Sequence, residues 1–142
     1  MALNFNLDAL LEPALLADMP WWQYILGGAG WTIGLMLSAF ALALVLGIIV
    51  GTLRTSQNRI VSLICEAWIE LFRNIPLIVQ IFVWYFVVPE FIPWYKDWMT
   101  TVEPVYAQFL TAFICMGFFT SSRVAEQVRA GISSIPKGLP NA

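Results

Sequence analysis

The chain contains no histidine, and only 11% of its 142 residues are charged. A soluble domain of this size carries about a quarter charged residues. The absence of histidine excludes Ser-His-Asp triads and HExxH zinc sites. The motifs GxxxxGK[ST] and GxGxxG are missing too, so we expect no catalytic residue, metal ligand or cofactor site in this chain. The net charge of −2 offers no basic surface for nucleic acid.

Three apolar stretches are candidates for membrane spans, and the chain is 60% hydrophobic. Residues 19–53 and 104–122 carry no charge. The middle stretch has Glu66, Glu70 and Arg73 in its first half and then an uncharged run over 74–89. A membrane helix needs about 20 apolar residues, and at these lengths a helix satisfies its own backbone hydrogen bonds. The sequence therefore predicts an all-α membrane protein with transmembrane helices over residues 23–52, 60–88 and 104–122.

The distribution of Lys and Arg predicts the orientation of these spans. Arg54 and Arg59 lie in the first connection, and three more basic residues follow the third span. Residues 1–21 have none, and the predicted loop 89–104 has only Lys96. The positive-inside rule therefore places the N-terminal segment 1–21 outside the cell. It places the tail 123–142 in the cytoplasm.

Two glycine pairs in the first span have GxxxG spacing: Gly30 with Gly34, and Gly47 with Gly51. Such pairs let helix backbones approach each other closely in lipid. We expect the first span to pack against a neighbouring helix through them, although the motif does not specify which helix.

The second span begins with an unusual polar face. Glu70 and Arg73 are three residues apart and can pair on one side of a helix. Pro76 follows and is expected to kink or restart the helix, because proline lacks an amide donor. Two interpretations remain open: an amphipathic cytoplasmic entry to an ordinary span, or a face that lines a translocation path or a subunit interface.

Two sequence blocks resemble a known family. Residues 70–80 read ELFRNIPLIVQ, and residues 121–138 read SSRVAEQVRAGISSIPKG. The two blocks are separated by one predicted external loop. Their residues and their order resemble those of the permease subunits of bacterial ABC importers for polar amino acids. The resemblance covers residues 22–142, a partial transmembrane domain, and is strongest to the glutamate/aspartate branch.

The resemblance implies a multi-pass location in the bacterial inner membrane and a set of partners. A second permease subunit, identical or paralogous, would complete the path, and a periplasmic binding protein would deliver the amino acid. A separate ATPase subunit would bind ATP and Mg²⁺, so the chain itself is not expected to be an enzyme. The approach to the ATPase contact matches five residues of this chain: Ser133, Ile135, Pro136, Lys137 and Gly138.

The family pattern continues beyond the point where this sequence reads LPNA and stops. We therefore expect a permease fold that is incomplete at the C-terminus. The alternative function is a transport-incompetent remnant or a structural membrane subunit. A membrane enzyme is disfavoured, since Ser121 and Ser122 have no histidine base and suit helix packing.

The candidate residues of the substrate path are Arg73, Arg123, Gln80 and Glu70. A guanidinium such as that of Arg123 can form two parallel hydrogen bonds with the carboxylate of an acidic amino acid. The alternatives for Arg123 are a positive-inside anchor or a pair with Glu126. Gln80 can face the path or bond across helices, and Glu126 is expected to pair with Arg129.

Overall fold

The computed structural model describes residues 7–14 and 18–135, and these residues are predominantly helical. This confirms the predicted all-α fold. The chain forms two compact units, residues 1–36 and 37–142. In the first unit, a 3-10 helix at Leu7–Leu10 precedes an isolated antiparallel bridge between Pro13 and Pro20.

The first long helix, α1, runs from Trp21 to Arg54. Its 34 residues extend for roughly 50 Å at about 1.5 Å per residue, more than the hydrocarbon core requires. Most of its large apolar side chains are exposed in this chain. Such exposure suits a helix whose surroundings are lipid or other membrane helices. The predicted first span, 23–52, lies entirely within α1.

The structure divides the predicted second span, 60–88, into two arms. Helix α2 covers Arg59–Asn74, and the chain restarts in α3 at Leu77–Phe82. The chain bends by 102° between α2 and the arm Leu77–Phe91. Pro76 accounts for the break, because it supplies no amide hydrogen and crowds the preceding turn. The predicted restart at this proline is confirmed.

A π-turn at Val83–Val87 continues α3 into the short helix α4, Val88–Phe91. Helix α5 follows at Pro93–Thr101. The prediction of a loop over 89–104 was therefore wrong. Pro93 stands in the first turn of α5, where no hydrogen bond from its nitrogen is needed and its fixed φ favours the helix. Proline there begins a helix instead of interrupting one.

The last helix, α6, covers Pro104–Ser133 without a break. It contains the predicted third span, 104–122, and continues eleven residues further, from 123 to 133. The predicted tail, 123–142, therefore begins as a helix, in agreement with the expected pairing of Glu126 and Arg129 three residues apart. Among the described residues, α1 and α6 can each cross a membrane, and the bent pair provides up to one more span.

Small residues join α1 to α6. A Cβ added at Gly47 would lie 2.5 Å from the Cβ of Val124, and one added at Gly51 would lie 2.6 Å from the carbonyl oxygen of Ala125. The predicted close packing of this pair is confirmed. A Cβ at Gly30 would meet nothing within 4 Å in this structure.

Aromatic rings fill the space between α2, the π-turn and α6. The ring of Phe118 lies 4.9 Å from Trp68, 5.4 Å from Phe72 and 5.5 Å from Trp84, measured between centroids. All three contacts are edge-to-face, the arrangement that the ring quadrupoles favour. The cluster fixes both arms of the bent pair against one position of α6.

Candidate functional site: the broken helix and the ion pairs between helices

The break between α2 and α3 is closed by the side chain of Gln80. Its Nε2 donates to the carbonyl oxygen of Phe72 at 3.0 Å and to that of Ile75 at 2.8 Å. A helix end leaves carbonyl oxygens without intrahelical partners, and in a membrane such groups are costly. Gln80 supplies two of the missing donors and is only 5% exposed.

The other amide atom of Gln80 has no partner. Its Oε1 is buried and accepts no hydrogen bond from any described residue. Rotating the amide by 180° would place this oxygen against two carbonyl oxygens, so the orientation is fixed by its neighbours. Gln80 lines an apolar cavity of about 260 Å³ beside the break, together with Phe72, Ile75 and Trp84.

The charged candidates on α2 remain at the surface of this chain. Glu70 and Arg73 are both exposed, and the described residues show no ion pair between them. The predicted pairing of these two side chains is therefore not observed. Arg73 and Gln80 lie on opposite sides of the same break, one exposed and one buried. Their assignment to a substrate path stays a prediction.

Arg123 is exposed on α6, and its guanidinium carbon lies 4.0 Å from the centroid of the Phe119 ring. This is a cation–π contact, which still leaves the N–H groups at the edge of the guanidinium plane able to donate. The alternative pair with Glu126 is not formed, since Glu126 binds two other arginines. The substrate role of Arg123 stays a prediction.

Ser121 and Ser122 are fully buried in the helix. Each hydroxyl donates to the carbonyl oxygen three residues earlier at 2.7 Å. The Oγ of Ser121 also accepts a hydrogen bond from Nε1 of Trp68 at 3.3 Å. These contacts confirm helix packing as the role of the serine pair.

A second polar cluster joins the C-terminal end of α1 to the middle of α2 and to the charged part of α6. Arg54 Nη2 lies 2.9 Å from Glu66 Oε1, and Arg54 Nη1 bonds to Glu126 Oε1. Arg129 Nη2 lies 3.3 Å from Glu126 Oε2, which confirms the predicted pair of these two residues. We call these four residues the inner charge network, because the positive-inside rule predicts that they lie on the cytoplasmic side. Its two positive and two negative charges balance.

The C-terminal end of α1 is also bonded to α2 by a hydrogen bond from a side chain to the backbone. The hydroxyl of Ser62 donates to the carbonyl oxygen of Arg54 at 3.0 Å. Asn58 is the N-cap of α2: its side-chain oxygen accepts hydrogen bonds from the amides of Ile60 and Val61 at 3.0 and 3.4 Å. The connection between the two helices is thus short and held at both ends.

Of the five residues expected to approach an ATPase, Ser133 and Ile135 are described. Ser133 is the last residue of α6, and Ile135 is 61% exposed. Pro136, Lys137 and Gly138 lie outside the described residues. The end of α6 is therefore exposed in the part of the chain that the structure describes.

Sequence reasoning did not find the role of Arg54. The residue is 72 positions from Glu126, and no local spacing rule connects the two. One signal was present: Arg54 ends an uncharged stretch of 35 residues, and a charge at such a place needs a partner or the membrane surface. The capping role of Gln80 had a signal as well, since a break at Pro76 requires new donors.

These features define a polytopic membrane protein. It has two helices long enough to span a membrane, and a bent helix pair whose free carbonyl oxygens are bonded by a side chain. A network of ion pairs joins three of the helices. Residues 43–142 match the family of binding-protein-dependent transport system inner membrane components. The chain belongs to this family. It is thus an inner-membrane component with several spans, as predicted.

Curated relatives are transport permeases. The chain is 40% identical to the glutamate/aspartate import permease protein GltJ of Escherichia coli K12, over 100% of this chain and 58% of that relative. It is 31% identical to the glutamate transport system permease protein GluD of Corynebacterium glutamicum, over 98% of this chain and 48% of that protein.

A third relative is named for a different substrate. The L-cystine transport system permease protein TcyB of Bacillus subtilis is 30% identical over 97% of this chain and 56% of that protein. The chain thus spans about half the length of the curated relatives it matches. No solved structure matches it significantly.

Proposed function

We propose that this chain acts as a permease subunit of an ATP-driven importer of acidic amino acids. The observation that carries the proposal is the 40% identity to a glutamate/aspartate import permease along the whole chain. A relative named for L-cystine matches at 30%, so the family alone does not determine the substrate. The chain would contribute spans, while ATP hydrolysis would take place in a partner.

The proposed assembly has three kinds of partner. A periplasmic binding protein delivers the amino acid to the outer side, and a second permease subunit completes the path. An ATPase subunit with bound ATP and Mg²⁺ contacts the inner side near Ser133 and Ile135. Support comes from the family match and from the exposed end of α6. A matching relative named GltK, also a glutamate/aspartate permease, supports a paralogous partner.

Within the chain, the candidates for contact with substrate are Arg73 and Arg123. Both are exposed, and neither forms an ion pair among the described residues. A free guanidinium at the edge of a span is costly in lipid, which supports a polar surrounding in the assembled importer. Glu70 lies three residues before Arg73 on α2, and Gln80 holds the backbone on either side of Arg73 through its bonds to Phe72 and Ile75.

The test is uptake by cells that produce the protein with its natural partners. Cells lacking other acidic amino-acid uptake systems receive the native gene or an empty vector and are given radiolabelled glutamate. Unlabelled aspartate should compete, whereas unlabelled arginine and cystine should not. Competition by cystine alone would change the substrate assignment. Equal uptake with and without the gene would favour the alternative of a non-transporting membrane subunit.

A further inference from the structure

The inner charge network connects three helices through shared ion pairs. Arg54 uses two separate nitrogens for two carboxylates, one on α2 and one on α6. Glu126 uses both carboxylate oxygens for two guanidinium groups, one on α1 and one further along α6. The side chains of Arg54 and Glu126 are only 16% and 24% exposed. Removing either residue therefore breaks two ion pairs at once.

The backbone beneath the network is also in close contact. Gly51 lies one turn before Arg54, and a Cβ there would come within 2.8 Å of the Cβ of Val128. Val128 is next to Arg129 on α6. The tight apolar packing and the ion pairs thus lie within one turn of each other along α1. Together they restrict both sliding and rotation of α6 against α1.

The network lies between the spans and the exposed end of α6. Glu126 is four residues beyond Ser122, where the uncharged part of the helix ends, and seven residues before Ser133. Seven residues of α-helix correspond to about 10 Å. A force applied at Ser133 therefore reaches the network before it reaches the spans.

We propose that Arg54 and Glu126 are positioning residues that transmit movement from the exposed inner end of α6 to α1 and α2. With the network intact, the three helices move together when that end is displaced. Without it, α6 can turn or slide against Gly47 and Gly51 while α1 stays in place. This inference rests on the proposed transport function.

The experiment uses the native protein in its membrane complex. Glu126→Gln and Arg54→Gln each remove one charge and keep much of the side chain. The matched control is Glu90→Gln, because Glu90 pairs with Lys96 at 2.7 Å and both side chains are at least half exposed. Exposed pairs contribute little, so the control should behave as the native protein does. Three quantities are measured: complex recovered, ATP hydrolysed and glutamate taken up.

We expect both network variants to assemble in native amounts and to hydrolyse ATP. Their uptake per ATP should fall at least about tenfold, since each breaks the Arg54–Glu126 pair that joins α1 to α6, while Arg54 or Glu126 keeps its other partner. Because both residues serve one connection, the double variant should be no worse than the more severe single one. Arg54→Lys should recover part of the uptake, since it keeps the charge but loses the fork that binds two carboxylates.

The proposal would be overturned if the variants lost uptake only in proportion to the amount of complex recovered, with uptake per ATP unchanged. The network would then have a structural role alone. The native protein in the same assay separates this failure from that of the proposed function. If the native complex takes up no acidic amino acid, the transport assignment is wrong. If it does and Glu126→Gln matches the Glu90→Gln control, only the inference about the network is wrong.

Discussion

Gln80 donates a hydrogen bond of 2.8 Å to the carbonyl oxygen of Ile75, the residue that immediately precedes Pro76. The contact joins the two arms of the bent pair directly across their break. The same nitrogen also bonds to Phe72. The second predicted span thus consists of two helices, and the side-chain amide of Gln80 bonds one to the other across the break.

Gln80→Glu is expected to destabilise the protein by about 2–3 kcal/mol, because an ionised carboxylate has no donor for the two carbonyl oxygens. Thermal unfolding of the purified protein in detergent measures the change. Gln57→Glu is the control, since Gln57 is exposed in the connection after α1. Equal melting temperatures for the two variants would contradict the role given to Gln80.

Gly51→Ala should weaken the packing of α1 on α6, since the new methyl group would sit 2.6 Å from the carbonyl oxygen of Ala125. Overpacking of this kind costs about 1–3 kcal/mol. Gly30→Ala on the same helix should have little effect, because a Cβ there meets nothing within 4 Å. Melting temperatures of both variants in detergent give the comparison, and a larger loss for Gly30→Ala would refute it.

Arg123→Ala, introduced at the matching position of a full-length relative, is expected to abolish uptake of acidic amino acids and leave assembly intact. The cation–π contact with Phe119 contributes only about 0.5–1 kcal/mol at an exposed site, so folding should tolerate its loss. Uptake of labelled glutamate and recovery of the complex are measured side by side. Native uptake by this variant would remove Arg123 from the path.

Tyr95 and Thr111 form a hydrogen bond of 3.2 Å between two buried hydroxyl groups. Thr111 donates its own hydrogen to Ala107, so Tyr95 must be the donor of the pair. A double-mutant cycle with Tyr95→Phe and Thr111→Val should give a coupling energy of about 1 kcal/mol, the usual net contribution of a buried hydrogen bond. Additive effects on unfolding in detergent would show that the pair contributes nothing.

The orientation can be tested with single cysteines. Cys65 and Cys115 are buried, which keeps their background labelling low. A membrane-impermeant maleimide should label Thr100→Cys in intact spheroplasts and should label Gln57→Cys only after the membrane is opened. The positive-inside distribution is the reason for this expectation. The reverse pattern would invert the proposed topology.

The sequence predicted the helical class, the bounds of α1 and the restart at Pro76 because each depends on local chemistry. A long uncharged stretch favours a membrane helix, and proline cannot continue one. The loop over 89–104 was predicted wrongly because proline has two meanings, and only the hydrogen bonds of the neighbouring turn distinguish a helix start from a helix end.

The inner charge network could not be predicted, since it depends on which helices become neighbours. Arg54, Glu66 and Glu126 belong to three different helices, and each had a sufficient local explanation as a charge near a span end. The pair of Glu126 with Arg129 was predictable, because three residues along one helix bring two side chains together. The bend angle of 102° was equally beyond the sequence.

The π-turn at Val83–Val87 has a consequence for chain length. The amide of Val88 bonds to the carbonyl oxygen of Val83, five residues earlier, so this turn holds one residue more than an α-helical turn. The side chains after Val87 therefore point in the directions that they would have in a regular α-helix with one residue fewer before them. Deleting one residue here would preserve the faces of Pro89 and Phe91. The same deletion within α1 would turn every later side chain by about 100°.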